Sequence, residues 1–210
     1  AEIQTALDEN LFESGGQITF GNQFIRKAVE DMHLPGDEDK RSAHRWLGEW
    51  FDKRELTLDV AQERVHQWKE TGDRDRLRSC LLEQDVFKEL YRDDEYALLA
   101  HWVQLGGDVG EAYQKAYENW PDKEELMENL AEFLRLAGSY GAFTEKLYRG
   151  VLEGHERELG PDHPDTLKSV NSLGLLLKRK GDSEGAEKLS RRALEGKERV
   201  LGPDHPETLK

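Results

Sequence analysis

In the last ninety residues of the chain, apolar and small side chains recur at steps of three and four. Leu167, Val170, Leu173, Gly174 and Leu177 lie on one stripe that stops at Gly181, and Ala186, Leu189, Ala193, Leu194 and Leu201 on a second that stops at Gly202. Both have the period of an amphipathic helix, and both glycines are helix stops. Small residues at Gly174, Ala186 and Ala193 permit a close approach, while Leu173 and Leu189 fill the space between turns, so the two stripes predict a helical hairpin. Pro164 suits the first helical position, where a missing N–H costs nothing, and Asp165 complements the positive end of the helix dipole.

The hairpin is repeated. Residues 141–168 and 183–210 align at an offset of 42 with 18 identities in 28 positions, including GPDHPDTLK against GPDHPETLK. Further upstream the offset is 43: Leu130 falls on Leu173, Ala131 on Gly174, Phe133 on Leu176, Leu134 on Leu177 and Gly138 on Gly181. One extra residue in the turn at Ser139-Tyr140-Gly141 accounts for the slip. A period of this length marks a stack of helix pairs.

The first 120 residues have another pattern. Residues 11–20 alternate around Gly15-Gly16, which predicts a short β-hairpin. A helix is expected from Asn22 to about His33, stopped by Pro35-Gly36. Helices then follow at about 38–52 (Trp46, Leu47, Trp50, Phe51), 57–70 (Leu58, Val65, Trp68), 74–82, 85–92, 94–105 and 109–119. The breaks are Gly72-Asp73, Arg92-Asp93-Asp94 and Leu105-Gly106-Gly107-Asp108. Trp46 and Trp50, one turn apart, are expected on a core stripe. No parallel-sheet pattern occurs, so the fold class is all-α after the hairpin, in three segments: 1–34, 36–120 and 121–210.

Composition narrows the function. Charged residues make up 35% of the 210 and hydrophobic residues 36%, with a mean hydropathy of −0.84, a balance that favours exposed helices over a wide buried sheet. The net charge of −14 divides into −11 before residue 121 and −3 after it. Without a long basic cluster, such a chain repels a phosphate backbone, so no nucleic-acid partner is expected. The single Cys80 leaves no internal disulfide and suits a reducing, cytoplasmic setting. The longest apolar block, residues 173–177, is far short of the ~20 residues a bilayer requires, and the first residues lack a signal-peptide pattern, so no membrane partner is expected.

Candidate chemistry is sparse. Asp162, His163, Asp204 and His205 could suggest a metal, but copies one repeat apart sit on successive steps of a stack, ~10 Å apart, against ligand distances of about 2.0–2.6 Å. Helix-start capping is the better reading. His44, His66 and His101 lie near tryptophans and read as packing or surface residues. Cys80, among apolar neighbours, reads as a buried inert thiol. The carboxylates at Asp93-Asp94-Glu95 and Glu124-Glu125 read as solvated helix faces. No GxxxxGK[ST] phosphate loop is present. The residues therefore indicate neither an enzyme nor a bound cofactor or metal.

The strings NSLG at 171–174, AEKL at 186–189, RRALE at 191–195 and the LGPDHP linker resemble the long tetratricopeptide repeats of the kinesin light chain and nephrocystin-3 type, over residues 121–210. Ser190 departs from the aromatic residue that Tyr148 supplies in the earlier repeat. Upstream, ITFGNQFIRKAVEDMHL, RSAHRWLGEWF and HQWKETGDRDRLRSCLLEQDVFKELY resemble the stretch joining ATPase module to repeats in NACHT-type signalling ATPases, where the hairpin would be the wing end of a winged-helix domain. The resemblance implies a right-handed solenoid whose first helix in each pair lines a concave groove for a protein or peptide. That places Glu125, Glu128, Glu132 and Arg135 in the groove from one repeat, and Lys168, Asn171, Leu175, Lys178 and Arg179 from the next. Asn171 matches the asparagine such repeats use to hold a peptide backbone, and Glu128 takes that place in the earlier repeat. The implied function is a non-catalytic scaffold or sensor region of a signalling ATPase, cytoplasmic or ciliary. A free-standing adaptor is the alternative. An array that stops after the second hairpin would leave an edge able to stack on another copy or fray.

Overall fold

The structure, a computed structural model, describes residues 11–14, 17–20, 34, 36–206 and 208. The Gly15-Gly16 turn and the helix expected over 22–33 lie outside the described residues. Strands β1 (Leu11–Ser14) and β2 (Gln17–Phe20) pair antiparallel, with Leu11 opposite Phe20 and Ser14 opposite Gln17. The chain then forms helices α1 (Asp37–Phe51), α2 (Leu58–Thr71), α3 (Arg74–Leu81), α4 (Gln84–Leu105), α5 (Val109–Tyr117), α6 (Met127–Leu136), α7 (Ala142–Leu159), α8 (Pro164–Lys180) and α9 (Ser183–Leu201). They group into two units, residues 1–55 with 62–77 and residues 56–61 with 78–210.

In the first unit the expected tryptophan stripe is not in the core. Trp46 and Trp50 are 63% and 40% exposed, and the buried residue of α1 is Gly48. A Cβ on Gly48 would lie 2.9 Å from the Trp68 ring, so the missing side chain makes room for the buried indole. Arg54 covers the Trp50 ring instead, at 3.7 Å from its centroid. Asp52 accepts from Arg64 Nε at 2.7 Å and from Trp68 Nε1 at 3.4 Å, pairing a guanidinium that is otherwise out of water.

In the second unit the repeat becomes visible as geometry. α6 contacts α7, α7 contacts α8 and α8 contacts α9, with α4 and α5 extending the series onto α6 and α7. Gly138 and Gly181 both adopt positive φ, and the next N–H closes the last turn in the same way: Ser139 onto Leu134 O and Asp182 onto Leu177 O, at 2.9 and 3.0 Å. The LGPDHP linker is a second repeated device. Thr166 Oγ1 donates to Gly160 O at 2.7 Å, and Thr208 Oγ1 donates to Gly202 O at 2.9 Å. Pro164 begins α8 and the His163 ring nitrogen caps it by accepting from Asp165 N–H at 3.2 Å.

Between α8 and α9 the small residues act as their spacing predicts. A Cβ on Gly174 would meet Leu189 Cβ at 3.3 Å, Ser190 Oγ at 3.5 Å and the Ala186 carbonyl at 3.6 Å. That approach gives a physical reason for serine at 190 where the earlier repeat has Tyr148. Leu173 and Val170 are fully buried in this layer.

Helix α4 carries a non-helical residue, Asp94 (φ −157, ψ 102), whose carboxylate accepts from the N–H groups of Tyr96 and Ala97. It therefore breaks where Arg92-Asp93-Asp94 predicts, with Asp94 capping the second half. Buried Phe87, Tyr113 and Phe133 meet at ring separations of 5.4–5.7 Å, joined by Trp120. Tyr113 Oη donates to Leu81 O at 2.9 Å and accepts from Trp102 Nε1 at 3.2 Å, and burial pushes this phenol far above its ordinary titration range. This aromatic core unites residues before 121 with the first repeat.

Candidate protein-binding face

The outward face of α8 is set by elimination. Leu167, Val170, Leu173, Gly174, Leu176 and Leu177 are buried, which leaves Lys168, Asn171, Leu175, Lys178 and Arg179 on the remaining arc of about 100°. Leu175 is 51% exposed, a large apolar side chain among polar ones. On α6 the same elimination leaves Glu128, Glu132 and Arg135, opposite buried Leu130, Phe133 and Leu134.

An ion pair joins the two faces. Lys168 Nζ lies 3.8 Å from Glu128 Oε1, so the first helices of the two repeats turn these residues toward each other. Glu125, in the turn before α6, accepts from Lys88 of α4 at 2.9 Å, and that contact raises the Lys88 ammonium above its usual range. Glu132 is drawn back into its own repeat. Its carboxylate accepts from Tyr148 Oη at 2.9 Å and from Arg135 Nε at 2.8 Å. Burial and the facing carboxylate push the Tyr148 phenol up, while the same carboxylate raises Arg135. Lys88 is the member of this face that no sequence reading finds, because its partner lies 37 residues away in a turn.

The charges are thus sorted. Glu125, Glu128, Glu132, Arg135 and Lys168 all have ionic partners, and Lys180 turns aside to pair with Glu145 of α7. Lys178 and Arg179 are exposed and make no ion pair among the described residues, and the side chain of Asn171, half-buried, makes no hydrogen bond among them. Positive charge near a helix C-terminus also complements the dipole, which stabilises α8 whether or not a partner is present.

The other candidate chemistry has a structural role. Asp162 is held by Arg199 of α9 at 2.6 Å and His163 is spent on capping. Among the described residues no group of three or more His, Cys, Asp or Glu is placed to hold a metal. Cys80 is buried in α3. Among the same residues no helix is long and apolar enough to cross a membrane.

Helix pairs closed by repeated turns and stacked in series define a helical-repeat protein, and residues 122–199 match the tetratricopeptide repeat family. These residues form tetratricopeptide repeats, and the chain has distant, partial similarity to nephrocystin-3. It is 34% identical to mouse nephrocystin-3 over 145 residues, covering 61% of this chain and 11% of the mouse protein. With the Xenopus tropicalis protein the identity is 30% over 165 residues, covering 70% and 12%. With the human protein it is 30% over 182 residues, covering 75% and 13%. The chain therefore spans about one-eighth of the length of these relatives. Tetratricopeptide repeats generally mediate protein–protein interactions.

Proposed function

We propose that the chain is a non-catalytic protein-binding scaffold whose α6 and α8 faces receive a segment of a partner protein, with acidic residues of that segment over the C-terminal end of α8. The observation that carries this reading is the pairing pattern: every other charged candidate on the face is neutralised, while Lys178 and Arg179 stand exposed beside exposed Leu175. In a chain of net charge −14, an unneutralised positive site selects for negative charge. Asn171, Leu175 and Arg179 follow at four-residue steps, about 6 Å apart along a helix. An extended strand repeats its side chains every two residues at about 6.6–6.8 Å, so one stretched segment can meet all three. The asparagine amide supplies a donor and an acceptor for its backbone, Leu175 an apolar contact and Arg179 a cation.

The likeness to nephrocystin-3 extends the proposal to context, with the chain acting as the sensor or regulatory region of a signalling ATPase whose nucleotide module lies elsewhere. A free-standing adaptor would use the same face. Titration of the chain with short labelled peptides tests the binding reading, comparing an apolar residue followed two positions later by aspartate with the same peptide carrying lysine. Binding of the acidic form alone is expected, and equal binding of both would remove the charge argument.

A further inference from the structure

Helix α1 turns its two exposed tryptophans away from its own packing contact. Trp46 and Trp50 stand two residues to either side of Gly48, which puts each about 160° round the helix from the face packed on Trp68. They are the largest of the exposed apolar side chains among the described residues. Trp50 has Phe51 edge-on at 4.9 Å and Arg54 over its ring, whereas the Trp46 ring meets no other ring and no cation among the described residues. One turn earlier the same stripe is small, at Ser42 and Ala43. A step from small residues to two indoles is the relief that receives a helix ridge.

Charge runs along α1 in one direction. Its first turn holds Asp37, Glu38 and Asp39, and the turn after its last residue holds Lys53 and Arg54, both exposed. Asp39 caps the Gly36 N–H at 3.1 Å and Glu38 pairs with Arg41. Lys53 and Arg54 make no ion pair among the described residues, although Glu49 and Glu55 are close in sequence. Two unneutralised cations thus stand beside exposed indoles in the part of the chain, before residue 121, whose net charge is −11.

We propose that the Trp46–Trp50 face of α1 docks an amphipathic helix of a partner protein, antiparallel to α1, with the acidic first turn of that helix over Lys53 and Arg54. The helix dipole favours acid in the first turn and base in the last, so the antiparallel arrangement sets acid on base at both ends. The apolar stripe of the incoming helix covers both indoles, and desolvated tryptophans are the side chains that dominate such contacts. A second copy of α1 matches less well. In an antiparallel pair centred on Gly48, Trp46 faces Trp50, but Lys53 faces Ala43 and Arg54 faces Ser42, so the cations stay unmatched. An anionic bilayer would suit the indoles and cations but repels a chain of net charge −14. This face belongs to the first unit and the α6 and α8 faces to the second, so each is tested without the other.

The test selects, on the full chain, from a displayed library of helix-forming peptides of about 18 residues, five turns long, randomised on one stripe and in both end turns. Selected helices should carry large apolar residues on the stripe and Asp or Glu in the first turn. Trp68, Trp102 and Trp120 are buried, so binding should blue-shift tryptophan emission and shield it from acrylamide through Trp46 and Trp50 alone. Trp46→Ser with Trp50→Ser should weaken binding by about tenfold or more while the far-ultraviolet circular dichroism stays that of the parent. Lys53→Glu with Arg54→Glu should switch the selected first turn from acid to base, and Lys178→Ala with Arg179→Ala should change nothing. Failure to select a helix that depends on Trp46 and Trp50, a first-turn preference indifferent to the charge swap, a dimer held by these tryptophans in sedimentation, or tryptophan-dependent binding to anionic vesicles in place of peptides would overturn the inference.

Discussion

Replacing Leu173 by alanine removes three carbons from a side chain that is 1% exposed, in a layer where Gly174, Ala186 and Ala193 already bring α8 and α9 close. Neighbours held that tightly by backbone contacts collapse poorly into a void, so transfer and cavity terms both apply and the cost is about 2–5 kcal/mol. At roughly 2–4 °C per kcal/mol for a chain of this size, the melting temperature falls by about 4–20 °C. In a stacked array a perturbation acts mainly on its own layer and its neighbours, so the loss should be uneven. Hydrogen exchange resolved by helix, together with a denaturant melt, reads both quantities. α8 and α9 should lose protection first, with α7 less affected and α4 and α5 least. A loss under about 1 kcal/mol, or equal loss of protection in α5 and α9, would refute the assignment of Leu173 to this layer.

Other substitutions test the repeat residue by residue. Gly154 and Gly196 are counterparts at the 42-residue offset, yet a Cβ on Gly154 meets nothing within 4 Å while one on Gly196 would lie 2.3 Å from Leu167 Cδ2. Gly154→Ala should therefore stabilise by about 0.5–1 kcal/mol and Gly196→Ala destabilise by about 1–3 kcal/mol in chemical melts. Thr144 is buried and its hydroxyl has no partner among the described residues, while its counterpart is Ala186. Thr144→Ala should be neutral or stabilise by about 1 kcal/mol, because losing a methyl group is offset by relief of an unpaired hydroxyl and a better helix former. Tyr113 has a folded pKa raised by burial, and Tyr117 is pushed up to about 12 by burial and Glu124. Their contribution is complete below the unfolded tyrosine pKa of about 10 and is lost as pH rises above it, so an alkaline melt should lose stability from about pH 10 upward and Tyr113→Phe should shrink that dependence.

Helix periods, caps and the 42-residue repeat were legible because they are local: Gly138, Gly181, Asp94, Pro164 and Thr166 each announce a turn within a few residues of where it forms. What was not legible depends on partners distant in sequence. Trp46 and Trp50 have the spacing of a core stripe, but the contact is made by Gly48 against Trp68, twenty residues on. Phe87, Tyr113 and Phe133 give no periodic sign that they meet. On the candidate face, elimination of the buried stripe identified which residues of α8 are outward, but not which charges are already spent. Glu132 looks available in the sequence and is held by Tyr148 and Arg135, while Lys88 looks like an ordinary surface lysine and neutralises Glu125.

The central claim is that α8 presents an unneutralised, partner-reading face, and its most direct measurement is affinity selection from a random peptide library on the chain and on the triple variant Asn171→Ala, Lys178→Ala, Arg179→Ala. These positions lie outside the core, so the melt of the variant should stay within about 0.5 kcal/mol of the parent. Peptides selected by the parent should be rich in aspartate and glutamate. Their affinity should fall about fivefold to tenfold in the variant, from the loss of two exposed charge contacts, and should fall with added salt in the parent only. Selected peptides without acidic enrichment, or ones that bind parent and variant equally at low and high salt, would contradict the account.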